Sequence, residues 1–161
     1  MSKITPCLWF DKKAEEAARF YVSLLPDSRI DAIVPYSLDL PGGSPGDVMT
    51  VEFTLAGQSH VALNGGPFYR FTPALSLFVS CADQAEVDRL WQSLSEGGAP
   101  QQCGWVTDRY GVSWQIVPAV LGRMLKDKDP AKVRRVTQAM LKMVKLDVAA
   151  LESAYHDRAA A

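Results

Sequence analysis

The sequence is poor in the residues that hold metals and cross-links: 161 residues include two histidines and three cysteines. Cys7, Cys81 and Cys103 are odd in number and widely spaced. That pattern fits reduced thiols acting as small buried hydrophobes better than a disulfide framework or a zinc site. Net charge is also nearly absent, with 17 basic against 18 acidic residues, so the overall balance calls for neither nucleic acid nor an anionic membrane as a partner. No apolar run is long enough to span a bilayer, and the opening MSKITPCLWF lacks an apolar core followed by a small-residue cleavage site. A cytoplasmic location is the expectation. What remains is ordinary: 48% hydrophobic and 22% charged residues, enough for a proper core in a chain of this length.

The order of elements is more telling. Ile4 to Phe10 is rich in strand formers, and Asp11 is placed to cap a helix over KKAEEAARFYVSLL, where Ala14, Ala17, Ala18, Tyr21, Leu24 and Leu25 recur at helical spacing before Pro26. SRIDAIVPYSL reads as a strand. After the loop LPGGSPGD, the runs VMTVEFTLAG and HVALNGG read as a hairpin turning at Gly57 and Gln58. The order then recurs: ALSLFVSC (74–81) is a strand, Asp83 a cap, AEVDRLWQSLSEGG a helix, and QQCGWV and VSWQIV two further strands. Laying residues 14–24 over 85–94 with one residue skipped matches Ala14 with Ala85, Glu15 with Glu86, Arg19 with Arg89, Ser23 with Ser93 and Leu24 with Leu94. Helix and flanking strands repeat together, which indicates an internal duplication. The expected fold class is α+β: two βαβββ modules, at about 3–66 and 73–118, making up residues 1–118.

Residues 119–161 read as a separate helical extension. Asp129 and Pro130 give a cap with proline at the first helical position, and Val133, Val136, Thr137, Met140, Leu141 and Val144 form one apolar stripe. Asp147 caps DVAALESAYHDR. The basic residues between Arg123 and Lys145 are interleaved with Asp127 and Asp129 and hold no base-stacking aromatics, so they read as a solvated face and not a nucleic-acid surface. The stripe suggests a packing arm, and a homodimer is expected.

Two βαβββ modules, the second closing on DRYGVSWQI, resemble the vicinal oxygen chelate superfamily, which includes glyoxalase I, extradiol (dihydroxybiphenyl-type) dioxygenases and the bleomycin and fosfomycin resistance proteins. ALNGG at 62–66, LWQSLSEGG at 90–98, CGWVTDRYGVSWQIVP at 103–118, and AMLKM followed by KLD resemble the PhnB-like branch, labelled the 3-demethylubiquinone-9 3-methyltransferase family. The resemblance implies a glyoxalase-like fold with a ligand cleft lined by both modules. In metal-dependent members it also implies a divalent ion held by His, Gln or Glu on cleft-facing strands. Transferred position by position, Gln115 falls where such proteins place a glutamate in the final strand and Ser76 near the matching histidine. Asn64 or Leu63 falls at the remaining carboxylate position, and Pro6 or its surroundings in the first strand. Neutral amide and hydroxyl oxygens are poor ligands for first-row metals. No metal ligand and no cofactor are therefore assigned, and Ser76 and Gln115 disfavour a divalent ion.

Gln115 instead reads as a hydrogen-bonding group for a small-molecule ligand, or as a locally satisfied strand residue. Alternation puts Ser113 and Val117 on its face, with Trp114 and Ile116 opposite. His60, Ala62 and Asn64 share one face, as do Ser76 and Phe78. His60 is a general-base candidate without a visible carboxylate orienter. Cys103 and Trp105 stand at the rim, Trp105 as ligand wall or as core. Gly65 and Gly66 lead into PFYRF and not into a helix N-terminus, so the methyltransferase label is set aside. Two functions follow: a metal-independent enzyme of small-molecule metabolism, or a non-catalytic protein that sequesters a partly aromatic ligand in the manner of bleomycin resistance proteins.

Overall fold

The computed structural model describes residues 3–157. The chain divides into two compact units, Met1–Phe71 and Thr72–Ala161. The first runs β1 (Cys7–Phe10), α1 (Ala14–Leu24), β2 (Arg29–Pro35), β3 (Val48–Leu55) and β4 (Gln58–Asn64). Its sheet has the order β1-β4-β3-β2, with β1 parallel to β4 and the other pairs antiparallel. Alternation along β3 buries Val51, Phe53 and Leu55, and α1 turns Ala14, Ala17, Ala18 and Tyr21 toward the same core. The alanines let the helix sit close, while fully burying a large side chain such as Phe53 contributes about 1.5–3 kcal/mol.

Two boundaries differ from the sequence expectation. The first strand begins at Cys7 and leaves Ile4 exposed. The hairpin turns on Ala56 and Gly57, with φ of 47° and 79°, while Gln58 already pairs with Leu55. Two consecutive left-handed residues are what a type I′ turn requires.

The second unit repeats the plan with β5 (Ser76–Cys81), α2 (Gln84–Ser95), β6 (Ala99–Pro100), β7 (Trp105–Thr107) and β8 (Ser113–Pro118), in the order β5-β8-β7-β6 and again with the first strand parallel to the last. Trp114 and Ile116 are buried on the sheet face that α2 covers with Val87, Leu90 and Leu94. The expected strand QQCGWV is interrupted: Gln102–Gly104 form a single 3-10 turn. Cys103 and Gly104 are left-handed there, with φ of 60° and 81°, and their N–H groups donate to the carbonyls of Met143 and Val144, both at 2.8 Å. Contacts made 40 residues on in the chain override local strand propensity.

The same unit carries α3 (Ala119–Met124), α4 (Pro130–Met140) and α5 (Val148–Tyr155). Asp129 and Asp147 cap their helices as expected, accepting from Ala131 and Ala150. Leu121, Met124, Val136, Leu146 and Leu151 form a second small core, against which Val117 of β8 packs. The apolar stripe is thus satisfied within its own chain as far as Met140. Helix α4 ends there, and Leu141 and Val144 lie on the surface. Gln84 ties this region to α2: its amide donates to Leu146 O and accepts from Val148 N. Several cations here already have partners, with Lys145 on Asp88, Lys132 near Asp127, and Arg135 on the Ala154 and Tyr155 carbonyls. No described helix is long and apolar enough to cross a membrane.

Candidate functional site

Strand register fixes which candidates meet. In the second sheet Phe78 and Trp105 both pair with Gln115, so the three form one row across β5, β8 and β7 on the face opposite Trp114 and Ile116. Gln115 Nε2 donates to Ser76 Oγ at 2.9 Å. Phe78 is 60% exposed. Ser76, Phe78, Trp105 and Gln115 are therefore one surface, an aromatic-flanked hydrogen-bonding pair. Cys103 is half-buried in the turn just before Trp105.

His60 and Asn64 share a face as expected, and it is the covered one: they are 4% and 6% exposed. The His60 ring stacks on Phe53 with centroids 5.3 Å apart, and Nδ1 lies 3.0 Å from Gln58 O. A carbonyl only accepts, so Nδ1 carries the proton. Burial holds the imidazole pKa below its usual value, with the Gln58 hydrogen bond opposing.

Asn64 is fully engaged. Its Oδ1 accepts from Ala14 N at 2.9 Å, its Nδ2 donates to Val48 O at 2.9 Å, and its carbonyl accepts the Tyr36 hydroxyl. The expected Asp11 cap is not made. Lys13 occupies the N-cap position without a side-chain hydrogen bond, and Asn64 supplies the acceptor across 50 residues.

The cysteines differ from one another: Cys7 is exposed, Cys103 half-buried and Cys81 buried, and all are free. Burial and the nearby Glu86 push the Cys81 thiol up to about 12, and Cys7, though exposed, is raised by partial desolvation. Neither environment favours a thiolate.

The motif DRYGVSW is organised by Asp108, which sequence reading passed over. The buried carboxylate accepts from Tyr110 N at 2.8 Å and Val112 N at 3.0 Å on one oxygen, and from Trp114 Nε1 at 2.8 Å on the other. Gly111 adopts φ 88° within the turn. These residues build the β7–β8 connection, and an Asx-type turn is the signal that reveals it.

Sequence reading also missed a cavity in the first unit. It has a volume of about 290 Å³, with Trp9, Tyr36, Leu40, Met49, Leu63 and Phe68 among its walls. Trp9 and Leu63 are strand partners on the sheet face opposite His60 and Asn64. The Trp9 indole lies against Gly65, where an added Cβ would meet the ring at 2.2 Å, and its Nε1 donates to Gly66 O at 2.8 Å. Tyr69 approaches Trp9 edge-on at 5.0 Å. The loop after β2 completes the wall, held because Tyr36 reaches Asn64 O past Gly42, a position with no room for a side chain. A separate, polar cavity of about 280 Å³ at the start of α1 is lined by Lys12, Glu15, Asp47 and Asn64.

The divalent metal that the resemblance implies for metal-dependent members does not fit the donors at the transferred positions. Ser76 and Gln115 are neutral and bonded to each other, the Asn64 amide already holds Ala14 N and Val48 O, and Leu63 has no donor. Among the described residues no group of three or more His, Cys, Asp or Glu is gathered to hold an ion. Nor does a glycine-rich turn join strand to helix: the β1–α1 and β5–α2 connections are Asp11-Lys12-Lys13 and Ala82-Asp83, and β8 runs straight from Pro118 into α3.

Two βαβββ modules, each a four-stranded mixed sheet with this strand order, define a protein of glyoxalase-like α+β fold. The chain belongs to the 3-demethylubiquinone-9 3-methyltransferase (PhnB-like) family, whose model matches residues 2–117. It is similar to a PhnB protein from Bacillus cereus at 38% identity over 73% of this chain and 100% of that one, with a TM-score of 0.67. It is also similar to a Pseudomonas aeruginosa protein at 25% identity over 71% of this chain and 95% of that one, with a TM-score of 0.57. No curated protein matches the chain.

Proposed function

We propose that the protein binds a small, largely apolar molecule, and that the first unit's cavity is a seat for it. The observation that carries this reading is the cavity itself: a concave space walled by aromatic and aliphatic side chains, with the loop after β2 and Gly65 shaped around it. Small-molecule sites are typically concave, apolar and largely pre-formed. Thermal unfolding in the presence of a small-molecule library tests it. A true ligand at a hundredfold excess over its Kd adds about 2.7 kcal/mol, and Leu63→Glu, which places a charge in the wall, removes that gain. A library in which nothing raises the wild-type midpoint in a Leu63-dependent way overturns the reading.

A second reading, metal-independent catalysis, rests on the Ser76–Gln115 pair between Phe78 and Trp105. Gln115 Oε1 and the Ser76 hydroxyl hydrogen are free to orient a polar substrate. Among the described residues this face brings no titratable base to the pair, so binding without turnover is preferred. Metal independence belongs to the same proposal. Metal analysis of purified protein should find no stoichiometric zinc, nickel or manganese, and Gln115→Glu should raise affinity for them. The methyltransferase activity in the family's label is not proposed. We further propose a homodimer, tested by mass in solution; a monomeric full-length chain would refute it.

A further inference from the structure

We infer that the cavity of the first unit selects neutral aromatic molecules of one or two rings and rejects ionised ones. This rests on the cavity being a ligand seat and goes on to the chemical class of its occupant. The wall has two groups able to donate a hydrogen bond through a side chain, and both are spent. Trp9 Nε1 donates to Gly66 O and the Tyr36 hydroxyl to Asn64 O. The remaining walls used here, Leu40, Met49, Leu63 and Phe68, are hydrocarbon or thioether. A ligand carboxylate, phosphonate or ammonium entering this space would lose its hydration without gaining a partner. Lys12, Glu15 and Asp47 line the other cavity.

Size and shape narrow the class. About 290 Å³ is at the small end of ligand pockets. Trp9 is held flat on Gly65 and edge-on to Tyr69, so a rigid π surface is in place before any ligand arrives. Aromatic stacking adds to area burial, and Met49 offers a soft sulfur contact.

The experiment uses two probes of matched shape, 2-naphthol, which is neutral at pH 7, and the 2-naphthoate anion, with S-adenosylmethionine as a charged competitor. Titration calorimetry on the full chain should show naphthol binding at one site per chain, naphthoate at least about tenfold more weakly, and no competition from S-adenosylmethionine. Met49→Lys should invert the preference so that naphthoate binds more tightly. Leu63→Lys serves the same purpose should the first variant not fold, as judged by circular dichroism. If neither naphthyl probe binds the wild type, the ligand-seat reading itself falls. If naphthoate binds as tightly as naphthol, the seat stands and the selectivity inference is overturned. If naphthol binds but both lysine variants leave the preference unchanged, the site lies elsewhere and the inference is again overturned.

Discussion

The two modules share a strand order but close their helices and their last hairpins by opposite means. In the second, α2 is capped by the residue before it: Asp83 accepts from Glu86 N, and Glu86 reaches back to Ala82 N. In the first, α1 has no local cap and borrows Asn64 from the last strand. Register makes Asn64 the counterpart of Pro118, since each pairs with the final residue of its module's first strand, Phe10 and Cys81. A proline cannot cap, and a locally capped helix does not need it to. The hairpins differ in the reverse sense. The first module turns on two residues, Ala56 and Gly57, and the second on a longer connection held by a buried carboxylate. Equivalent positions in a duplicated fold thus take up structural work wherever the local sequence omits it, and a residue so engaged is withdrawn from ligand chemistry.

The sharpest way to break this comparison is Asp108→Ala. Three hydrogen bonds to one buried carboxylate are lost, including that of Trp114 Nε1. Bonds to charged groups are worth about 1.5–3 kcal/mol each and are not additive, so a loss of about 4 kcal/mol is expected in urea unfolding. Ligand affinity of the first unit's cavity should not change in the fraction that stays folded. A loss below about 1 kcal/mol would mean that the turn does not depend on Asp108.

Next in size is the difference between the caps. Asn64→Ala removes the acceptor for Ala14 N and the donor to the half-buried Val48 O, at a cost of about 2 kcal/mol, about one for each lost bond. Asp83→Ala removes a local and exposed cap and should cost about 1 kcal/mol. Equal costs would remove the distinction between borrowed and local capping.

That distinction also marks what was legible in the sequence. The caps Asp83, Asp129 and Asp147 announce themselves because donor and acceptor lie within three residues. So does the α+β class, because helical and strand periodicities alternate twice. Asn64 does not, since its partner is 50 residues away, and Asp11 stood in its place. Alternation correctly grouped His60 with Asn64, yet could not say which face was covered. Here His60 and Asn64 of β4 point inward, while Val61 and Leu63 are half-buried on the open side. The cavity was illegible for a related reason. Its walls are strand residues plus a loop positioned by Tyr36, through a backbone carbonyl that no sequence pattern marks.

His60 sharpens the contrast between the faces through pH. Its pKa is lowered in the fold by burial, so below the unfolded value of about 6.5 the unfolded chain binds the extra proton first. The stability contributed by the neutral ring is therefore present above that pH and is lost as pH falls through the unfolded value toward the folded one. His60→Phe keeps a ring on Phe53 and should flatten stability between pH 7 and 5 relative to the wild type. An unchanged slope would mean that the imidazole titrates freely, and hence that this face is wetter than its burial implies.

The smallest effect concerns the first module's hairpin. Ala56 is held at φ 47°, where a side chain with a Cβ and no local hydrogen bond costs about 1 kcal/mol, whereas asparagine tolerates the left-handed region and favours the first position of a type I′ turn. Ala56→Asn should therefore stabilise the protein by about 0.5–1 kcal/mol, raising the thermal midpoint by a few degrees. The residue is exposed, so no packing change competes with the backbone gain. The same substitution has no counterpart in the second module, whose turn already places Gly111 at its left-handed position. A destabilised Ala56→Asn would show that the two-residue turn is not under the strain its dihedral implies, and that both hairpins are set by their strands and not by their turns.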